Sequence, residues 1–130
     1  MEEKKYKILI VDDDRFLLNM YSVKFGKSGF DVTTAENGEE AISRIKEGLN
    51  PDVVLMDIIM PMLDGAGVLK RVREEKLAPN TAFIMLTNQG SEEDIYNVKQ
   101  FNIDGYIIKA TTMPSEVIDE VLRITKAHKK

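Results

Sequence analysis

The chain has 130 residues, enough for one domain with a core of its own, and its 43% hydrophobic and 31% charged make-up is that of a folded chain, not a disordered one. The absence of cysteine excludes disulfides and thiolate metal sites, and a net charge of −4 from 22 acidic and 18 basic residues argues against nucleic acid as a direct partner. The charged start, MEEKKYK, has no signal-peptide core and no apolar run approaches the roughly 18 residues of a membrane span, so no membrane association and a cytoplasmic location are expected.

Lys7 to Val11 (KILIV) is a short apolar run and reads as a buried strand. Arg15 to Lys27 reads as a helix with Asp14 as its N-cap, Gly29 beyond its end, and an apolar face of Phe16, Met20 and Val23. Asp31 to Ala35 is the second strand. Asn37 caps a helix from Gly38 to Glu47 with Ala41, Ile42 and Ile45 on its inner face, and Gly48 ends it. Val53 to Met56 is the third strand, followed by a loop with Pro61 and Gly65 and a helix to about Glu75. Phe83 to Leu86 is the fourth strand. Ser91, with Asp94 three residues on, reads as the cap of the next helix. Gly105 to Ile108 is the fifth strand, and Pro114 opens a last helix with Val117, Ile118, Val121, Leu122 and Thr125 along one stripe. The tail, Lys126 to Lys130, reads as a solvated helix end, and the single histidine, His128, as a surface residue. Met56, Met60, Met62 and Met85 are expected to fill the core and a nearby loop.

Strands that are apolar throughout, alternating with helices, predict an α/β domain whose parallel sheet is covered on both faces. In such folds ligands gather at the carboxyl ends of the strands. Those ends carry Asp12, Asp13 and Asp14 after the first strand, Asp57 after the third, Thr87 after the fourth and Lys109 after the fifth. Each alone is ordinary: a polar turn, a strand end, a surface charge. Together they place carboxylates, a hydroxyl and an ammonium around one cleft. Two carboxylates about 5 Å apart repel by about 3 kcal/mol at an effective dielectric of 20. A hard divalent cation with oxygen ligands relieves that repulsion, and Mg²⁺ is the natural choice. Such an ion with Lys109 beside it suits phosphoryl chemistry, with Asp57 able to form an aspartyl-phosphate. Removing one charge, by Asp13→Asn or Asp57→Asn, is expected to stabilise the metal-free chain by about 1–2 kcal/mol.

From about Tyr6 to Ala127 the sequence resembles the receiver domains of two-component response regulators, in particular single-domain, chemotaxis-type ones. The resemblance rests on Asp12 and Asp13 in IVDDD, Asp57 in LMDIIMPMLDG, Thr87 in IMLTN and Lys109 in GYIIKA. It implies a doubly wound, flavodoxin-like sheet of five parallel strands in the order 2-1-3-4-5 with five helices. It implies that Asp57 accepts a phosphoryl group from a sensor histidine kinase or a phosphotransfer protein. Asp12, Asp13, Asp57 and the main-chain carbonyl of Ile59 would hold Mg²⁺, with Mn²⁺ as a substitute. Lys109 and Thr87 would meet the phosphoryl oxygens, and Thr87 and Tyr106 would form the switch; on pattern alone Tyr106 is a core or half-buried strand residue. Output would pass to a downstream protein target through surface contacts, with no turnover enzyme activity. The whole chain, 1–130, is expected to be one receiver unit with no output domain.

Two positions depart from the family pattern. Ala110 stands where a proline follows the lysine, usually after a cis bond, so the Lys109–Ala110 bond is expected to be trans. Asn88 stands where a small residue follows the switch hydroxyl. Ile59, being apolar, cannot position an attacking water, and slow autodephosphorylation is expected. Three other readings share these residues. A haloacid-dehalogenase-type hydrolase matches D-x-D at Asp12 and Asp14, but Phe16 stands where Thr or Val belongs. A nucleotide or flavin module lacks its Gly-rich loop. A pseudo-receiver would keep the fold and signal without phosphate.

Overall fold

The structure, a computed structural model, describes residues 5–87 and 92–128, without the side chain of Ala110. In chain order its elements are β1 (Lys7–Val11), α1 (Arg15–Lys27), β2 (Asp31–Ala35), α2 (Gly38–Lys46), β3 (Val53–Met56), α3 (Gly65–Glu74), β4 (Ala82–Thr87), α4 (Glu92–Lys99), β5 (Gly105–Ile108), a 3-10 turn (Lys109–Thr111) and α5 (Pro114–His128). The strands form one parallel sheet in the order β2-β1-β3-β4-β5. The order reverses between β1 and β3, and that crevice is where such a sheet opens to a ligand.

Alternation along the strands divides the core in two. Leu9, Val11, Val54, Met56, Phe83 and Met85 face α2, α3 and α4. Ile8, Ile10, Val53, Leu55, Ile84 and Leu86 face α1 and α5. Each side chain fully buried in this way contributes about 1.5–3 kcal/mol. The edge strands are thinner: β2 and β5 are half-buried over much of their length, as strands with one neighbour must be.

The local start and stop signals act as the residues predict. Asp14 caps α1, its Oδ1 accepting from the N–H groups of Phe16 (3.0 Å) and Leu17 (3.2 Å). Asn37 caps α2, accepting from Glu40 N–H at 2.8 Å. Gly29 and Gly48 take φ of 99° and 108° just beyond α1 and α2, conformations that a Cβ disfavours.

Several expectations need correction. The buried face of α1 is Leu18, Tyr21 and Phe25; Phe16 is 78% exposed and Val23 is also exposed. This helix is apolar nearly all round, so spacing alone leaves its rotation open, and packing on the sheet decides it. Strand β4 extends one residue further each way, to Ala82 and Thr87. On α5, Ile124 joins the buried stripe, while Ile118 and Leu122 are half-buried. Met62 lies in the loop after β3 and is exposed. His128 is not a free surface residue: its Nδ1 lies 3.1 Å from Asp104 Oδ1, because the last turn of α5 crosses the amino-terminal edge of the sheet. The other Asp104 oxygen accepts from Phe83 N–H at 2.8 Å, so this carboxylate ties α5 to the start of β4. The predicted cap at Ser91, the residue Asn88 and the last two tail lysines lie outside the described residues. No described helix is long and apolar enough to cross a membrane.

Candidate functional site

Three strand ends build the site. β1 continues past Val11 into Asp12, whose N–H still donates to Ala35 of β2 (3.2 Å). That bond fixes the backbone while the side chain turns into the crevice. Asp57 follows β3 in the same manner, its N–H donating to Val11 O at 3.1 Å. Lys109 follows β5 and enters from the far side. Its Nζ donates to Asp12 Oδ2 at 2.9 Å and to Asp57 Oδ2 at 3.2 Å. The side chains are well enclosed, Lys109 7% and Asp57 12% exposed.

Gly65 allows this arrangement. Its N–H donates to Ile58 O at 2.8 Å, drawing the start of α3 onto the loop that carries Asp57. A Cβ at Gly65 would lie 2.7 Å from Asp57 O and 2.9 Å from Ile58 Cα, closer than any side chain tolerates. Asp64 caps the helix just before it, accepting from Gly67 N–H at 2.8 Å.

The electrostatics follow from enclosure. Burial pushes the Asp57 carboxyl above its ordinary pKa; the Lys109 charge opposes this and the Asp12 charge reinforces it. Burial works against the Lys109 ammonium, but the hydrogen bond to Asp12 and the charges of Asp57 and Asp12 outweigh it and hold its pKa above the ordinary lysine value. Asp12 is fully engaged: Oδ1 accepts from Asp14 N–H at 2.9 Å while Oδ2 holds Lys109. Asp13 is exposed, yet one carboxylate oxygen from each of Asp12, Asp13 and Asp57 lies within 4.8 Å of the others. Three carboxylates against one lysine leave a net charge of −2, and the donors are all oxygen. This set fits a hard divalent cation and no soft one.

The other predicted site residues divide. Thr87 ends β4, 1% exposed, in the row of strand ends that includes Asp12 and Asp57. Ile59 lies in the loop beyond Asp57 with its side chain exposed, and its N–H donates to Asp57 Oδ1 at 3.3 Å. Tyr106 is not with them. It stands at the edge of the sheet, 38% exposed, under the Lys99 ammonium. No peptide bond among the described residues is cis, and Lys109 still reaches both aspartates through the 3-10 turn that follows β5.

The family model for the response regulator receiver domain matches residues 8–121. The chain belongs to the response regulator receiver family. It is 32% identical over 121 residues to the chemotaxis protein CheY of Thermotoga maritima, covering 92% of this chain and 98% of that one. It is 35% identical over 120 residues to the alkaline phosphatase synthesis transcriptional regulatory protein PhoP of Bacillus subtilis, covering 92% of this chain and 48% of that protein. The receiver thus spans about half the length of the transcriptional regulators that it matches. Among solved structures, a CheY-like receiver domain protein from Methanospirillum hungatei superposes with a TM-score of 0.86 at 25% identity, covering 96% of this chain and 97% of that one.

One residue near the receiver site escaped the sequence reading. Tyr21 is buried on the inner face of α1, near enough to Lys109 and Asp12 to feel both charges. Burial raises its phenol pKa, the Lys109 charge opposes and the Asp12 charge adds. Its spacing was the available signal: it lies three residues after Leu18 and four before Phe25, in phase with the face that is buried.

Proposed function

We propose that this receiver is a phosphorylation-activated signalling switch and that Asp57 is its phosphoacceptor. The observation that carries the reading is the contact of one ammonium, Lys109, with both Asp12 and Asp57 inside a cluster of three carboxylates. In the proposed step an Asp57 carboxylate oxygen attacks the phosphorus of a phosphorylated imidazole. The P–N bond breaks, and the imidazole leaves with the bonding electron pair and takes up a proton. The product is an acyl phosphate on Asp57. Lys109 can follow the oxygen it already holds and pair with the phosphoryl oxygens.

Asp12, Asp13, Asp57 and the carbonyl of Ile59 would hold Mg²⁺, or Mn²⁺ in its place. When bound, the ion supplies positive charge to the phosphoryl oxygens. Phosphorylation removes the Asp57 charge and adds about −2, which the Thr87 hydroxyl can meet by turning toward the new group. Tyr106 would then turn inward, changing the surface around α4, β5 and α5. A local charge event thereby biases a two-state element. The donor is a sensor histidine kinase or a phosphotransfer protein, the output a protein contact, the chemistry self-catalysed and without turnover of a substrate, and the place of action the cytoplasm. The unit is a receiver with its core at about 6–127.

Asp14 weighs against the hydrolase reading. Its Oδ1 is committed to the cap of α1, so it is poorly placed as the second acid of a D-x-D pair. The test is a thermal melt with Mg²⁺ and beryllofluoride, a phosphoryl mimic. Stabilisation that needs both components and vanishes in Asp57→Ala supports the switch. A melt indifferent to them favours a pseudo-receiver.

A further inference from the structure

Tyr106 of β5 is in register with Met85 of β4, as Ile108 is with Thr87. Paired residues of parallel strands share a face, and so do side chains two apart along a strand. Tyr106 and Thr87 therefore project to the same side of the sheet, the side covered by α3 and α4. There α4 is anchored through Val98, its one fully buried residue among those described. The next residue is Lys99, exposed in the last turn of α4, where the carbonyl end of the helix favours a cation. Its Nζ lies 5.2 Å from the centroid of the Tyr106 ring, within reach of a cation–π contact. An edge-strand tyrosine has two places to go: inward beneath α4 toward Thr87, or outward over the sheet edge. In this structure it is outward, and Lys99 sits over it.

We infer that Lys99 is a positioning residue that holds Tyr106 outward and so biases the unphosphorylated receiver against the activated arrangement. The inference rests on the reading of Asp57 as phosphoacceptor and of Tyr106 as the aromatic that turns inward. Turning beneath α4 would carry the ring away from the exposed Lys99 head, so on this inference the contact exists in one state only. An interaction made in one state shifts the equilibrium by its full strength. An exposed cation–π contact of ~0.5–1 kcal/mol converts, at about 1.4 kcal/mol per tenfold, to a two- to fivefold bias. Lys99 therefore acts as a brake that lowers activity of the resting chain and weakens the response to a phosphoryl group by the same factor.

The experiment reads the ring directly. The tyrosines are labelled with ¹³C, the Tyr106 signal is assigned by its loss in Tyr106→Phe, and its shift is followed with and without Mg²⁺ and beryllofluoride. The affinity for beryllofluoride is measured on the same samples. Lys99→Gln and Lys99→Met are expected to raise the inward fraction of the untreated chain and to tighten beryllofluoride binding, each about two- to fivefold. Lys99→Arg keeps the cation and is expected to match wild type. In a Tyr106→Leu background Lys99→Gln is expected to change nothing. Wild-type ring shift and affinity in both Lys99→Gln and Lys99→Met would overturn the inference, as would an effect of Lys99→Gln that persists without the Tyr106 ring. If the wild-type chain does not bind beryllofluoride, or if it binds and Tyr106 stays outward, the underlying switch reading fails and takes the brake with it. If wild type binds and turns its ring while the Lys99 variants behave as wild type, the switch stands and only the brake is lost.

Discussion

Burial sets the character of Asp57. Its carboxyl is raised above the ordinary value of 3.8, with enclosure as the main cause and Lys109 as an incomplete remedy. The native chain therefore binds more protons at this position than the unfolded chain. The group favours folding in acid, and that contribution is lost as pH rises from 3.8 through the raised native value, leaving the ionised side chain unfavourable at neutrality. Asp57→Asn is thus expected to stabilise the metal-free chain by about 1–2 kcal/mol at pH 7, with the gain shrinking as pH falls from the raised native value toward 3.8. Urea unfolding in EDTA at several pH values measures it, and a variant no more stable than wild type at pH 7 would contradict the account. Asp13→Asn should gain less, about 0.5 kcal/mol or under, because Asp13 faces water and its repulsion is screened. Here the structure refines the equal effects that sequence spacing led one to expect. If Asp57 is the acceptor, Ile59 is expected to set a rate, because an exposed apolar side chain beside it cannot order a water for attack. The phosphorylated chain is expected to decay over minutes or longer in Mg²⁺ buffer, followed by intact mass; loss within seconds without a helper protein would show that another group orders the water.

At the scale of elements, the rotation of α1 and the start of α3 are the informative places. Leu18→Ala and Phe25→Ala remove buried side chains on the inner face of α1 and should cost about 2–5 kcal/mol each. Phe16→Ala, in the same helix, should cost within about 0.5 kcal/mol. Denaturant midpoints for the three distinguish this helical phase from one that buries Phe16. Gly65→Ala forces a Cβ against the Asp57 and Ile58 backbone and is expected to cost about 2 kcal/mol or more while weakening Mg²⁺ binding. Wild-type stability and Mg²⁺ affinity in this variant would mean that the loop has slack that the structure does not show. These elements also mark what was legible beforehand. Caps and glycines, such as Asp14, Asn37, Gly29 and Gly48, act through bonds and torsions within a few residues, so the sequence carries their signal directly. The strand-end residues Asp12, Asp57 and Lys109 were legible because parallel strands bring all their carboxyl ends to one edge. The face of α1 was not legible, since Phe16, Leu17, Leu18, Met20, Tyr21, Val23 and Phe25 leave several apolar stripes and only packing on the sheet selects one. Neither was the His128–Asp104 contact, which depends on where a helix end lands across the sheet. Pattern alone makes Tyr106 a core or half-buried strand residue; its 38% exposure and its place under Lys99 come from β5 being an edge strand beside α4.

For the whole molecule, the sheet acts as a rigid frame whose one crowded edge holds charges that do not otherwise belong together. Asp12, Asp13 and Asp57 repel one another, Lys109 offsets part of that, and a divalent ion would relieve the remainder. The receiver should therefore be more stable in millimolar Mg²⁺ than in EDTA, and the difference should disappear in Asp57→Asn. Matching melts of wild type in the two buffers would argue that the carboxylates do not share an ion. The decisive property of the molecule is which carboxylate takes the phosphoryl group. The most direct measurement is mass spectrometric mapping of the chain after treatment with acetyl phosphate and Mg²⁺, with Asp57→Ala alongside. One phosphoryl mass on the peptide containing Asp57, absent from the variant, is the predicted result. A phosphoryl group found on Asp12, or equal labelling of the Asp57→Ala chain, would contradict it.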